Sequence, residues 1–137
     1  MRKRNLIVLS LVLLFSLLAL TGCMRQAKLQ NPTNLPVYGA TGKQLTEAQV
    51  KQAILAGARE KGWVAREMGP GLITATLAVR SHLAEVEIPY SANGYSILYV
   101  RSSNLDYDAR NQTIHNQYNN WVDYLRRAIE ARMAEMR

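Results

Sequence analysis

The sequence is poor in residues that cross-link chains or bind metals. It contains a single cysteine, Cys23, so no disulfide can form within one chain. Its two histidines, His82 and His115, belong to no His-x₃-His pattern. Because a zinc site takes about three or four ligands at characteristic spacings, we expect no metal site and no cofactor.

Motifs of common catalytic sites are also missing. There is no Gly-x-Ser-x-Gly turn, which carries the nucleophile of many hydrolases. Residues 39–44 hold two glycines and a lysine, but their spacing does not match a phosphate-binding loop. Glu85 and Glu87 alternate with apolar residues, as on the wet face of a strand. These absences predict a protein that is not an enzyme.

The basic charge lies mostly outside the predicted domain. The formal net charge is +7. Residues 2–4 are all basic, and residues 23–44 add Arg25, Lys28 and Lys43 without any acid. Residues 45–137 contain almost equal numbers of acidic and basic side chains. We therefore expect no nucleic-acid binding, but attraction of the basic segment to anionic lipid.

The first 22 residues have the layout of a secretory signal peptide. The basic residues at positions 2–4 precede a mostly apolar run, Leu6 to Leu20, and then the small residues Thr21 and Gly22. A transmembrane helix takes about 20 apolar residues, more than this run provides. Residues 1–22 are therefore predicted to be removed on export.

Leu20-Thr21-Gly22-Cys23 resembles the lipobox of bacterial prolipoproteins, in which a leucine and small residues precede a cysteine. The resemblance implies that the Cys23 thiol receives a diacylglycerol, that cleavage falls between Gly22 and Cys23, and that the new amino group is acylated. Such an anchor is sufficient, since about two acyl chains hold a protein stably. In that family an aspartate after the cysteine often retains the protein in the inner membrane. Met24 implies the outer membrane instead, with the domain facing the periplasm.

Residues 23–44 are predicted to be the lipidated cysteine and a flexible tether. After Cys23 the segment contains two prolines and two glycines, and it shows neither helical nor alternating periodicity. The folded domain is therefore expected to begin at Leu45 and to include residues 45–137.

Two amphipathic helices are predicted at the ends of this domain. A capping box led by Thr46 begins the first, which runs to about Lys61 and is ended by Gly62. Thr113 is the predicted cap of the second, which runs to about Met133. Apolar residues recur at three- and four-residue steps in both, so each helix has one buried stripe: Val50, Ala53, Ile54, Gly57 and Ala58 in the first, and Ile114, Tyr118, Trp121, Val122, Leu125, Ala128, Ile129 and Met133 in the second.

Four strands are predicted between the helices: Trp63–Met68, Leu72–Arg80, Leu83–Tyr90 and Tyr95–Ser102. Their apolar and polar residues mostly alternate, as in an antiparallel sheet with one solvated face. The expected fold class is α+β: a two-layer, four-stranded antiparallel meander with an N-terminal and a C-terminal helix packed on one face, in the order α-β-β-β-β-α.

Asn93-Gly94 is a strong signal for a two-residue hairpin turn, in which both residues adopt positive φ. The register that follows sets Arg101 opposite Val86, at the edge of the apolar face. On the other side of the third strand, placing the second strand in the same pattern sets Leu77 opposite Val86.

Most of residues 46–130 resemble a family of small uncharacterised bacterial lipoproteins. The resemblance rests on polar and aromatic residues around the last strand and last helix: Tyr95-Ser96-Ile97, Tyr99, Ser103-Asn104-Leu105, Tyr107, Ile114-His115 and Tyr118-Asn119-Asn120-Trp121. It implies the fold and the envelope location, but no activity.

The candidate site is a cluster of polar aromatic residues: Tyr95, Tyr99, Tyr107, Tyr118 and Trp121. A cluster of this kind indicates a binding surface, because tyrosine and tryptophan are frequent in binding hot spots. The candidate partner-binding residues in and around it are Arg101, Asn104, Tyr107 and His115. The alternative interpretation is that Tyr99, Tyr118 and Trp121 fill the helix–sheet interface, with their polar atoms satisfied at its edge.

The expected function is that of a lipid-anchored envelope protein that binds a protein or cell-wall component, or supports structure, without catalysis. A small envelope hydrolase is the alternative function. The sequence does not determine the oligomeric state.

Overall fold

The computed structural model describes residues 25–137 and confirms an α+β fold with the order helix, strands, helix. The strands are β1 (Gln26–Lys28), β2 (Val64–Gly69), β3 (Leu72–Val79), β4 (His82–Ser91), β5 (Gly94–Tyr95), β6 (Leu98–Ser103) and β7 (Thr113–His115). The helices are α1 (Glu47–Glu60) and α2 (Asn116–Ala134), with a short 3-10 helix at Ala40–Gly42.

The main sheet is antiparallel, with strand order β2-β3-β4-β5 and with β6 also paired to β4. β1 and β7 form a separate two-stranded sheet. The predicted fourth strand is thus divided into β5 and β6. The division occurs where the Ile97 amide donates to Pro32 O at 2.8 Å instead of continuing the pairing with β4.

The pairing of the central strands differs by two residues from the predicted register. Ala75 lies opposite Val86, and Leu77 lies opposite Ala84 rather than Val86. Because side chains alternate with a period of two, a shift of two residues leaves every side chain on its predicted face. The buried residues of both strands are accordingly inward-facing ones: Ile73, Ala75 and Leu77 of β3, and Ala84, Val86, Ile88 and Tyr90 of β4.

Helix α1 begins and ends as predicted. The Gln49 amide donates to Thr46 Oγ1 at 3.2 Å, and the Gln49 side chain accepts from the Thr46 amide at 3.0 Å, which completes the capping box. Gly62 follows the helix with φ of 79°. All five residues of the predicted stripe are buried.

The predicted turn at Asn93-Gly94 is wrong. Ser91 pairs with Gly94, so the turn residues are Ala92 and Asn93. Neither Asn93 nor Gly94 is among the residues with positive φ. A Cβ on Gly94 would lie 3.2 Å from Leu35 O, so this glycine permits the close approach of another chain segment.

Helix α2 begins later than predicted. Thr113 belongs to β7, and the helix cap is His115, whose Nδ1 accepts from the Gln117 amide at 3.1 Å. The pairing of residues 113–115 with β1 gives Thr113 an extended backbone. All of the predicted stripe is nevertheless buried.

Residues 25–44 do not form the flexible tether that the sequence predicted. We call this segment the N-terminal strap, because it contacts β7, β5 and the residues after α2 in turn. Its strand β1 pairs with β7, and Leu35 forms a β-bridge with Tyr95. Near its end, the Ala40 amide donates to Met136 O at 2.8 Å. The described fold therefore begins at residue 25 rather than at Leu45.

The strap also contributes to the hydrophobic core. Val37 is 3 % exposed, and Leu29 and Leu35 pack against buried core residues. The strap has no sequence periodicity because it pairs through isolated bridges and single hydrogen bonds rather than as a long strand. Apolar periodicity marks regular elements only, so the strap carries no such signal.

Candidate functional site

The predicted lipidation and cleavage positions, Cys23 and Gly22, lie outside the described residues. What the structure describes is the chain directly after them. The Asn116 amide donates to Arg25 O at 2.6 Å, and β1 begins at Gln26. The chain is thus fixed to the domain within a few residues of Cys23.

Three of the predicted aromatic residues pack on one another. The ring centroids of Tyr99 and Tyr107 lie 4.4 Å apart, and those of Tyr99 and Tyr118 lie 5.5 Å apart in an edge-on arrangement. Tyr118 is fully buried, and the Tyr99 hydroxyl lies 2.8 Å from Ser102 Oγ. This geometry is typical of aromatic residues that fill a helix–sheet interface.

Two further features oppose a catalytic role for the tyrosines. The hydroxyls of Tyr95 and Tyr118 are buried without a hydrogen-bond partner among the described residues. Burial raises the pKa of both hydroxyls far above the ordinary tyrosine value. Burial also raises the pKa of Tyr99, against a smaller opposite effect of its bond to Ser102. These phenols are therefore neutral at physiological pH.

Arg101 lies on the outer face of the sheet, not at the edge of the apolar face. A register shift between Glu85 and Val86 sets Arg101 opposite Glu85, while Tyr99 lies opposite Val86. The Nε and Nη2 atoms of Arg101 donate to Glu85 Oε2 at 2.8 and 2.7 Å. A bulge of one residue reverses the face of every side chain after it, which is why the predicted position was wrong.

Asn104 supports a turn rather than an open site. It has φ of 57°, and its Nδ2 donates to Ser81 O at 2.6 Å, in the turn between β3 and β4. The backbone carbonyl oxygen of Asn104 lies 2.7 Å from His82 Nδ1. Asn104 and His82 thus connect the end of β6 to this turn.

The other two candidates, Tyr107 and His115, also form hydrogen bonds with residues close to them in the sequence. The Tyr107 hydroxyl accepts from Gln112 Nε2 at 3.3 Å, and His115 caps α2. The structure therefore brings Tyr107 into the aromatic cluster, but distributes Arg101, Asn104 and His115 among three different local structures. It supports the interpretation of these residues as structural.

Sequence analysis missed Asn119, the one buried polar side chain of the described chain. Its Oδ1 accepts from the Gln30 amide at 3.1 Å, and its Nδ2 donates to Lys28 O at 2.8 Å. One carboxamide thus matches a donor and an acceptor of the strap. An asparagine next to the apolar stripe of a predicted helix, directly after Tyr118, was the available signal.

Replacing Asn119 with alanine should loosen the strap. Lys28 O and the Gln30 amide would both lose their partner. These bonds are only partly buried, so the cost should lie toward the lower end of the range of about 1–3 kcal/mol for an unsatisfied buried group. We expect a lower free energy of unfolding in urea and faster hydrogen exchange at the Gln30 amide. The half-buried neighbour Asn120 is the control, since its replacement with alanine breaks no strap bond. Unchanged exchange at Gln30 in Asn119→Ala would contradict the assigned role.

The most open feature of the main sheet is strand β2, at the end of the strand order. It pairs with β3 and with no other strand of residues 25–137. Five of its six residues are exposed, including Val64 at 61 % and Met68 at 60 %. We call Val64–Gly69 and its unpaired backbone the β2 edge.

Shallow grooves lie on both sides of the β2 edge. One, of about 590 Å³, is lined on the helix side by residues that include Leu55, Arg59 and Trp63. The other, of about 380 Å³, lies on the outer face between Val64 and the β3 residues Thr74 and Thr76. The edge is therefore accessible above and below the sheet.

Residues 25–137 contain no group of three or more His, Cys, Asp or Glu side chains arranged to hold a metal ion. Neither described helix combines the length and hydropathy of a membrane span.

Comparisons of the chain with protein-family models, curated proteins and solved structures found no match.

Proposed function

We propose that the protein is a lipid-anchored module of the cell envelope that binds a partner without transforming it. The observation that carries the proposal is Leu20-Thr21-Gly22-Cys23 at the end of an apolar leader. Met24, in place of an aspartate, favours the outer membrane, with the domain in the periplasm. The positions of His82 and His115 support a non-catalytic role, because both side chains contact local backbone.

The strap limits how far the folded domain can lie from an acylated Cys23. Only Met24 and Arg25 separate Cys23 from β1, so the Cα atoms of Cys23 and Gln26 are at most about 11 Å apart. An acylated Cys23 would hold β1 and β7 close to the lipid headgroups. The exposed basic residues Arg25 and Lys28 then lie where anionic lipid attracts each by about 1 kcal/mol.

Metabolic labelling with a palmitate analogue tests the anchor. The parent protein should be labelled and should sediment with membranes, whereas Cys23→Ser should lose both properties because the acylated thiol is gone. Met24→Ser is the matched control and should retain both. A Cys23→Ser protein that is still labelled and still sediments would exclude the lipoprotein proposal.

Two further measurements test the remaining parts of the proposal. Met24→Asp should stay labelled but move from the outer-membrane to the inner-membrane fraction on a density gradient. A broad hydrolase screen of the purified full chain should show no turnover. Turnover that disappears in His82→Ala or His115→Ala would favour the envelope hydrolase instead.

A further inference from the structure

We propose that the β2 edge binds an extended acidic peptide segment, which adds to the main sheet as a further antiparallel or parallel strand. This rests on the proposed binding function and names its site and the chemistry of its partner. It does not depend on the lipid anchor, which is tested separately by labelling.

The two edges of the main sheet differ in a way that indicates this site. At the other edge the strap supplies partners to β5, to the gap before β6 and to the start of β6. The Leu35 amide donates to Tyr95 O at 2.8 Å, Pro32 O accepts from the Ile97 amide, and Asn31 Oδ1 accepts from the Tyr99 amide at 2.8 Å. At the β2 edge no segment of residues 25–137 plays that part. An open edge presents backbone donors and acceptors in the spacing that an extended peptide matches.

The two grooves can receive the side chains of such a peptide. In an added strand, alternate side chains point to opposite faces of the sheet. One set would meet the helix-side groove beside Leu55 and Trp63. The other set would meet the outer groove beside Val64. Both grooves contain apolar and polar surface, which favours a peptide of mixed composition over a wholly apolar one.

The charges at the edge select for acidic residues. Arg59 borders the helix-side groove and Arg66 borders both grooves, and neither has an ion-pair partner in the described part of the chain. The nearby carboxylate of Glu67 is already paired with Lys51 Nζ at 3.3 Å. The unpaired charge at the β2 edge is therefore positive, which is complementary to Glu or Asp side chains.

A bulge limits how long the paired segment can be. The register of β2 against β3 shifts between Glu67 and Gly69, so the regular part of the edge is Val64–Glu67. This is about 13 Å long at about 3.3 Å per residue. We expect about four peptide residues to pair, with the flanking residues unpaired.

A fluorescent hexapeptide of alternating valine and glutamate is a suitable probe. Its binding to the full chain in detergent micelles is measured by anisotropy, and the paired amides are located by hydrogen exchange. We expect saturable binding and slower exchange within residues 64–67. The same peptide with every backbone nitrogen methylated, or with lysine in place of glutamate, should bind at least tenfold more weakly.

Charge reversal on the protein tests the selectivity. The double variant Arg59→Glu and Arg66→Glu should lose at least tenfold in affinity for the glutamate peptide and gain affinity for the lysine peptide. Arg110→Glu, an exposed site far along the chain, is the control and should bind like the parent. A shift of preference, rather than a simple loss, excludes misfolding as the cause.

Several results would overturn the proposal: no binding of any peptide, equal binding of the methylated peptide, or protection outside residues 62–69. A concentration-dependent dimer with slowed exchange at residues 64–67 would also overturn it, because the occupant would be a second copy. None of these results would alter palmitate labelling of Cys23, so failure of this proposal is distinguishable from failure of the anchor.

Discussion

Replacing Gly57 with valine should destabilise the protein by about 3 kcal/mol or more, at or beyond the upper end of typical overpacking costs. Gly57 lies where α1 crosses α2. A Cβ there would lie 2.7 Å from the Ile129 backbone nitrogen and 2.9 Å from its Cα. Those atoms belong to helix backbone and cannot rotate away, so the helices would have to separate. The Tm should fall by roughly 10 °C or more.

Gly57→Ala and Ala48→Val make this prediction specific. Helix propensity alone would make Gly57→Ala stabilising by about 1 kcal/mol. We expect it to be destabilising instead, because its Cβ meets the Ile129 backbone. Ala48 is exposed in the same helix, and valine there should cost only about 0.5 kcal/mol of helix propensity. If Gly57→Val melts like the parent, the two helices are not in such close contact.

Trp121→Ala should destabilise the protein by about 3–5 kcal/mol, as a large-to-small change in the core does. Trp121 is 9 % exposed, lies in the middle of the buried stripe of α2, and its ring centroid is 6.3 Å from that of His82. The variant should unfold at a lower urea concentration.

Tyr124 provides the matched control for Trp121. It is an aromatic residue on the same helix and is 50 % exposed, so Tyr124→Ala should change the free energy of unfolding by no more than about 0.5 kcal/mol. Arg101→Ala should also have a small effect, because its ion pair with Glu85 is exposed on the arginine side. A stable Trp121→Ala protein that no longer binds its partner would instead identify the aromatic cluster as a binding site.

Regular elements were predictable because their signals are local. The capping residue Thr46, the terminating Gly62 and the helical spacing of apolar residues determine α1 without reference to the rest of the chain. The alternation of β3 and β4 determines their faces even though the register was displaced by two residues. Local patterns thus identified the core residues of α1, β3 and β4, but not Val37 of the strap.

Features that depend on long-range contacts were not predictable in this way. Gly94 was interpreted from its neighbour Asn93, but its role is set by Leu35, which is distant in the sequence. The face of Arg101 depends on a bulge that no residue pattern marks. The local bonds of the candidate residues were missed for the same reason: Asn104 bonds to the turn between β3 and β4, and His115 caps α2.

The strap also determines the order in which the molecule can assemble. The Gln30 amide of the strap donates to Asn119 Oδ1, 89 residues away in the sequence. The Ala40 amide, near the end of the strap, donates to Met136 O. Contacts between such distant residues slow folding, since a long loop must close before they form. A chain synthesised from its N-terminus therefore cannot close the strap until nearly all of α2 exists. The strap therefore closes only after Asn119 and Met136 have been synthesised, late in the assembly of the described fold.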